Sequence, residues 1–293
     1  MRETARGWTA VWLVVLALIQ TAAFGLVWRF AVHTELGQWL DTVALTGNRI
    51  GQDRIDDPVD TLLNAMSVVS LLAATAVIGF IALIRGRKAL AVTATLLIAG
   101  ANVSTQLLKH YLARPDFGID PERAAAGNSL PSGHTTVAAS VAVALILVLP
   151  RKLRVAGAFL GAGYAAAAGV ATLSAGWHRP SDAVAAYLVV GAWAAVAGLV
   201  LLFFQREQAV VEPGDAHRVA AAVLGGAGVV ALLASAVALS WLVDRSTAPV
   251  EALGRRPLFI GYAGSAAGIA GTIAVVAALV LVVVHRLVPR WKG

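Results

Sequence analysis

The chain has 293 residues, 59% of them hydrophobic and only 13% charged, with a mean hydropathy of +0.78. No soluble core of that size hides so much apolar surface, which excludes an ordinary globular domain and points to a membrane-embedded chain. With no cysteine, disulfides, thiolate metal sites and cysteine nucleophiles are excluded together, and the net charge of +7 lies in short clusters between apolar runs rather than on the contiguous basic surface that nucleic acid requires.

Apolar runs of about 18 or more residues predict eight membrane spans, over 9–29, 60–84, 89–109, 133–149, 154–173, 181–204, 219–243 and 257–285. Backbone groups in hydrocarbon must pair within their own segment, and no alternating barrel pattern is present. The expected fold is therefore all-α, a polytopic transmembrane helix bundle. The first run follows Arg2 and Arg6 as in a signal peptide, but it is long enough to span and lacks a small-residue cleavage site, so it reads as a helix. The stretch 30–59 reads as a polar loop, with Glu35, Asp41, Asp53, Asp56 and Asp57 against Arg49 and Arg54.

Arg85, Arg87 and Lys88 join spans two and three, Arg151, Lys152 and Arg154 join four and five, and Arg286, Arg290 and Lys292 follow the last span. By the positive-inside rule those ends and both termini are expected on the cytoplasmic side of a cell membrane, and 109–131 and 174–180 share the outer face. The polar linker 205–218, containing Glu212-Pro213-Gly214-Asp215, separates a six-helix core over 1–204 from a two-helix extension over 219–293. Gly264-x-x-x-Gly268 fits either a homo-oligomer seam or ordinary packing inside the bundle, and such spacing arises more often from packing. Trp8, Trp28, Trp177, Trp241 and Trp291 stand near span ends, where interfacial anchors belong.

Two polar motifs fall on the outer face. In Pro131-Ser132-Gly133-His134, Ser132 is placed to cap the helix that follows, whose free N–H groups and glycine suit an anion, with His134 in the first turn beside it. A capped helix with an incidental interfacial histidine fits that motif equally well. In His178-Arg179-Pro180-Ser181-Asp182, Pro180 starts a helix and sets His178 near Asp182, a pair whose hydrogen bond would make the other ring nitrogen more basic or nucleophilic. A metal shell of His134, His178 and Asp182 is the weaker reading, because nothing further completes it and Lys109 and Arg114 would repel a cation. Lys109 alone would snorkel to headgroups, but with the histidines on its face it becomes, with Arg114, a candidate phosphate clamp.

Lys109 with Arg114-Pro115, then Pro131-Ser132-Gly133-His134, then His178-x-x-x-Asp182 resembles the three-part signature of the type 2 phosphatidic acid phosphatase superfamily, most closely its bacterial integral-membrane lipid phosphatases. The resemblance implies that His178 attacks phosphorus to give a phosphohistidine, that Asp182 orients it and that His134 protonates the leaving oxygen. It also implies that Lys109, Arg114, Ser132 and the Gly133 N–H hold the phosphoryl oxygens, with no metal or other cofactor. The expected activity is metal-independent hydrolysis of a lipid phosphate or diphosphate drawn from the bilayer: a polyprenyl diphosphate, phosphatidylglycerol phosphate or phosphatidic acid. Transfer of the phosphoryl group to a sugar or lipid hydroxyl would use the same residues, and a non-catalytic lipid-binding or transport protein would use the histidines as a headgroup site or proton relay.

Two departures from the signature stand out. The arginine expected seven positions after the lysine is replaced by Asp116, with Arg114 two positions early. The Ser-Arg pair expected seven and six positions before His178 is replaced by Ala171 and Thr172, leaving Arg179 and Arg123 as substitutes, with Arg179 equally readable as an interfacial anchor.

Overall fold

The computed structural model describes residues 2–50, 59, 61, 68–120, 127–204 and 215–287. Asp53, Arg54, Asp56, Asp57, Arg123, Glu212, Pro213, Gly214, Arg290, Trp291 and Lys292, named above, lie outside the described residues, as do 60 and 62–67 at the start of the second predicted span. Nine α-helices are described: α1 Arg2–His33, α2 Glu35–Thr46, α3 Val68–Ile84, α4 Lys88–Tyr111, α5 Gly133–Val148, α6 Arg151–Ser174, α7 Pro180–Phe204, α8 Asp215–Val243 and α9 Arg255–Leu287. Among the described residues there is no strand, and the fold is an all-α bundle.

Six of these helices, α1, α4, α6, α7, α8 and α9, are long and apolar enough to cross a membrane. Shorter apolar helices, Ser70–Ile84 within α3 and Gly133–Val148, stand at the other two predicted spans. The 16 residues of α5 rise about 24 Å, short of the roughly 30 Å of a hydrocarbon core. Large apolar side chains such as Leu26, Leu72, Phe80, Leu160 and Val237 stand exposed around the bundle, as lipid-facing positions do.

The reading of 30–59 as a loop is corrected at its first half. Helix α1 runs on to His33, and Thr34 caps α2 by accepting the Gly37 N–H on its side-chain oxygen at 3.0 Å. Leu36, Trp39, Leu40 and Val43 recur at helical spacing and pack with Leu242 and Val250, so burial of an apolar stripe outweighs the charges that suggested a loop. A Cβ on Gly37 would come within 2.1 Å of the Phe30 carbonyl oxygen, so glycine is what lets α2 fold back against α1.

The main core runs through α4, α5, α6, α7 and α9, with Leu97, Val143, Ala165, Val190 and Ile273 in one buried cluster. Glycines let the helices approach closely: a Cβ on Gly100 would strike the Trp193 ring, whose N–H donates to Ser104 Oγ at 3.1 Å. Helix α8 packs chiefly on α9, and α9 lies against α2, α6 and α7. Gly264 and Gly268 face Ala238 and Ser235 of α8, so this pair of glycines serves packing within the chain.

One end of the bundle collects arginines. Arg85 donates to the Val148 carbonyl at 2.6 Å and Arg154 to that of Leu149 at 2.9 Å, satisfying the open C-terminal end of α5 with cations. The N-terminus of α5 stands at the opposite end, where Ser132 N–H donates to the Asp182 carbonyl at 2.9 Å. The two motifs are thereby tied together by backbone alone.

Candidate active site

Pro180 opens α7, where its missing N–H leaves no helical bond unmade. The turn before it is folded tightly: the Thr172 carbonyl accepts the N–H groups of both Trp177 at 3.0 Å and His178 at 3.1 Å. His178 is thus fixed one turn from Asp182, and its Nδ1 lies 3.2 Å from Asp182 Oδ2. The same Oδ2 accepts the Arg179 N–H at 3.1 Å, and Asp182 is fully buried. With Nδ1 held by the carboxylate, Nε2 is the ring nitrogen of His178 left for chemistry.

Ser132 caps α5, its Oγ accepting the Thr135 N–H at 3.3 Å, as the sequence predicts. It is fully buried, so its hydroxyl serves the helix end in this arrangement. Gly133 follows with only Gln106 near, at 3.6 Å from a built Cβ, so the backbone there is accessible to an anion. The His134 ring lies 6.1 Å from that of His178 and 5.3 Å from that of Trp177, centroid to centroid. Half-buried Lys109, in the last turn of α4, is within electrostatic range of His134.

The side chain of Arg114 is buried, with none of its three guanidinium nitrogens in a hydrogen bond, and its Nη2 lies 3.7 Å from Asp41 Oδ2. Burial lowers its affinity for the proton and Arg179 adds to this, while Asp41 and Asp182 oppose it, which places all four groups in one electrostatic neighbourhood. Thr172, where the signature has arginine, is fully buried and its hydroxyl donates to the Gly169 carbonyl at 2.8 Å. Arg179, only 5% exposed, is held by Ser129 Oγ at 3.3 Å and Asp120 at 3.7 Å, and its Nε has no partner. A side chain so enclosed is not at the lipid interface, which corrects the reading of Arg179 as an anchor.

All the predicted site residues, Lys109, Arg114, Ser132, Gly133, His134, His178, Arg179 and Asp182, therefore gather at one end of α4, α5 and α7. Sequence reading missed Asp41, which accepts from Ser181 N–H at 3.3 Å and from the Ser181 hydroxyl. Burial pushes its carboxyl up to about 6 against the pull of Arg114. It also missed Asp120, Ser129 and Gln38, whose amide donates to the Val32 and Pro115 carbonyls, each at 2.8 Å. The apolar spacing of 36, 39, 40 and 43 was the available signal for α2; nothing local marked the partners. Among the described residues no three His, Asp or Glu side chains converge as a metal-ligand group.

This arrangement offers a buried carboxylate–imidazole pair, a second imidazole within reach, and three cations with unused donors. It is a set suited to a tetrahedral oxyanion that must be held, attacked and protonated. Residues 88–209, from the start of α4 to just beyond α7, match the family model of the PAP2 superfamily. No curated protein and no solved structure matches the chain.

Proposed function

We propose, from the match of residues 88–209 to the PAP2 superfamily, whose members are phosphatases, that the chain is a membrane lipid phosphatase working through His178. The observation that carries this reading is the His178–Asp182 pair, 3.2 Å apart, with a second histidine ring at 6.1 Å and the buried side chains of Arg114 and Arg179 nearby. His178 Nε2 attacks phosphorus as the bond to the leaving oxygen breaks, and protonated His134 gives that oxygen its proton. Water then attacks the phosphohistidine, His134 takes the proton back, and inorganic phosphate leaves. Asp182 holds the His178 tautomer and stabilises the ring's positive charge throughout. Lys109, Arg114, Arg179 and the Gly133 N–H neutralise the non-bridging oxygens, where most of the catalytic work of phosphoryl transfer lies. These residues supply the nucleophile, proton and charge stabilisation without a metal.

The substrate class is an amphiphilic phosphate or diphosphate reached from the bilayer, since catalytic groups at helix ends suit a headgroup whose tail stays in lipid. Of the candidates, a polyprenyl diphosphate is preferred on superfamily resemblance, ahead of phosphatidylglycerol phosphate and phosphatidic acid. The arginine-rich end opposite the site, with Arg85, Arg87, Arg151 and Arg154, supports an outward-facing site in a cell membrane. The test is phosphate release from a panel of these lipids by detergent-purified protein, with His178→Ala in parallel and with chelator added. Release that persists with chelator and vanishes in the variant is expected. Release that survives His178→Ala refutes the nucleophile, and phosphorylated acceptor in place of free phosphate would indicate transfer.

A further inference from the structure

Asp41 lies on α2, outside the segment that matches the superfamily model, so the family resemblance assigns it nothing. It is nevertheless only 6% exposed and lies in the electrostatic neighbourhood of Arg114, Arg179 and Asp182. Its carboxylate accepts from the backbone and hydroxyl of Ser181, the residue before Asp182, and reaches within 3.7 Å of Arg114 Nη2. Arg114 makes no hydrogen bond at any of its three guanidinium nitrogens, and among the described residues Asp41 is the one acid within ion-pair distance of it.

We infer that Asp41 is a positioning residue, which fixes the Arg114 guanidinium so that its remaining donors face the substrate phosphate; the assignment of that phosphate site rests on the proposed function. A guanidinium is a rigid planar fork, so an ion pair that draws Nη2 toward α2 at 3.7 Å sets the directions of Nε and Nη1, which have no hydrogen-bond partner among the described residues. The offset of Arg114 from its expected place explains why such a device is needed. Displaced by two positions, the side chain starts from a different backbone point, and α2 controls both ends of the adjustment. Gln38 holds the Pro115 carbonyl at 2.8 Å, and Asp41, one turn along the same face, holds the side chain.

The charged groups around Asp41 are Arg114 from the segment after α4, and Arg179 and Asp182 from the start of α7. Its carboxyl is pushed up to about 6, chiefly by burial, so the hold on Arg114 is present above that pH and released below it. A purely structural role in stitching α2 to Ser181 would persist in an asparagine, whose amide oxygen still accepts. The charge-dependent hold would not.

The experiment is calorimetric titration of inorganic phosphate into the detergent-purified full chain at pH 7.5 and pH 5, for wild type, Asp41→Asn, Arg114→Ala and the double variant. Wild type is expected to bind phosphate about tenfold more tightly than Asp41→Asn at pH 7.5, and the ratio to fall toward one at pH 5. Because the ionisation of phosphate is common to all chains, the ratio isolates Asp41. In the Arg114→Ala background, Asp41→Asn is expected to change nothing further. A ratio of one at both pH values, a ratio independent of pH, tighter binding by Asp41→Asn, or full additivity in the double variant each overturns the inference. So does absence of phosphate binding by wild type. Should Asp41→Asn not fold, Arg114→Ala carries the test: its deficit against wild type is expected to shrink severalfold at pH 5, and an undiminished deficit refutes it. Phosphate binding is read without turnover, so a chain that binds as expected yet hydrolyses no lipid fails the proposed function and not this inference.

Discussion

Replacing Arg179 by alanine separates its structural from its chemical contribution. The variant loses a hydrogen bond to Ser129 at 3.3 Å and an ion pair with Asp120 at 3.7 Å. Unit charges at that separation attract by about 4–5 kcal/mol at an effective dielectric of 20, but desolvation of the buried guanidinium offsets most of this. Asp120, 20% exposed at its side chain, keeps access to water in the variant. A net loss of about 1–2 kcal/mol follows, a fall of several degrees in melting temperature. The backbone N–H of residue 179 stays, so the hydrogen bond to Asp182 Oδ2 at 3.1 Å and with it the His178–Asp182 geometry are retained. Phosphate release is expected to fall much further, by about 10² to 10³ in kcat/KM, the usual consequence of removing one charge-stabilising donor from a transition state. Arg179→Lys, which keeps the charge but not the fork, should recover part of that loss. The assay is initial-rate phosphate release from the best lipid substrate beside thermal unfolding in the same detergent. A rate within threefold of wild type in a folded Arg179→Ala chain refutes the role given to this arginine.

Three further outcomes are expected. Asp182→Asn retains the shape of the dyad but not its charge, so kcat should fall by about 10² or more while KM moves little, measured by the same release assay. For Asp41, the folded carboxyl titrates at about 6 against an ordinary value of 3.8, so the folded state binds the proton more tightly than the unfolded one. Between those two values stability therefore falls as pH rises, by up to about 3 kcal/mol from roughly two pH units at ~1.4 kcal/mol each. Thermal unfolding from pH 4 to 7.5 should show Asp41→Asn gaining on wild type as pH rises; parallel profiles would contradict this. Gly37→Ala drives a Cβ to 2.1 Å from the Phe30 carbonyl oxygen, so α2 must shift away from α1 at a cost of about 2 kcal/mol or more. Phosphate binding should weaken with it, because Gln38 and Asp41 ride on that helix, and calorimetry would detect the loss.

What was legible in the sequence was local. Helix positions follow from apolar runs, the α5 cap from Pro131 and Ser132 ahead of an apolar stretch, and the His178–Asp182 pair from four-residue spacing after a helix start; of the eight predicted spans, six are helices long and apolar enough to cross a membrane. What was not legible depends on distant partners. Asp41 and Ser181 are 140 residues apart in the chain, and no spacing rule joins them. Helix α2 is a mixed case: its charges suggested a loop, whereas Leu36, Trp39, Leu40 and Val43 carried the helical period. Burial decided between them, because the stripe had Leu242 and Val250 to pack on, residues of the C-terminal helices and the turn between them.

The same distinction accounts for the arginine that the signature lacks. Counted along the chain, positions 172 and 179 lie on opposite sides of His178, and a cation at one looks unlike a cation at the other. In space the turn closes on itself, with the Thr172 carbonyl bonded to His178 N–H at 3.1 Å, so the two backbone positions are near neighbours. A side chain as long as arginine can bring its guanidinium to a common region from either side. Thr172 then needs only to supply the carbonyl that closes the turn and a hydroxyl that satisfies the Gly169 carbonyl at 2.8 Å, which a small buried side chain does without desolvating a charge. Under the proposed function the site keeps its positive charge while changing the residue that supplies it. The chemistry constrains where a guanidinium ends, not where along the chain it begins.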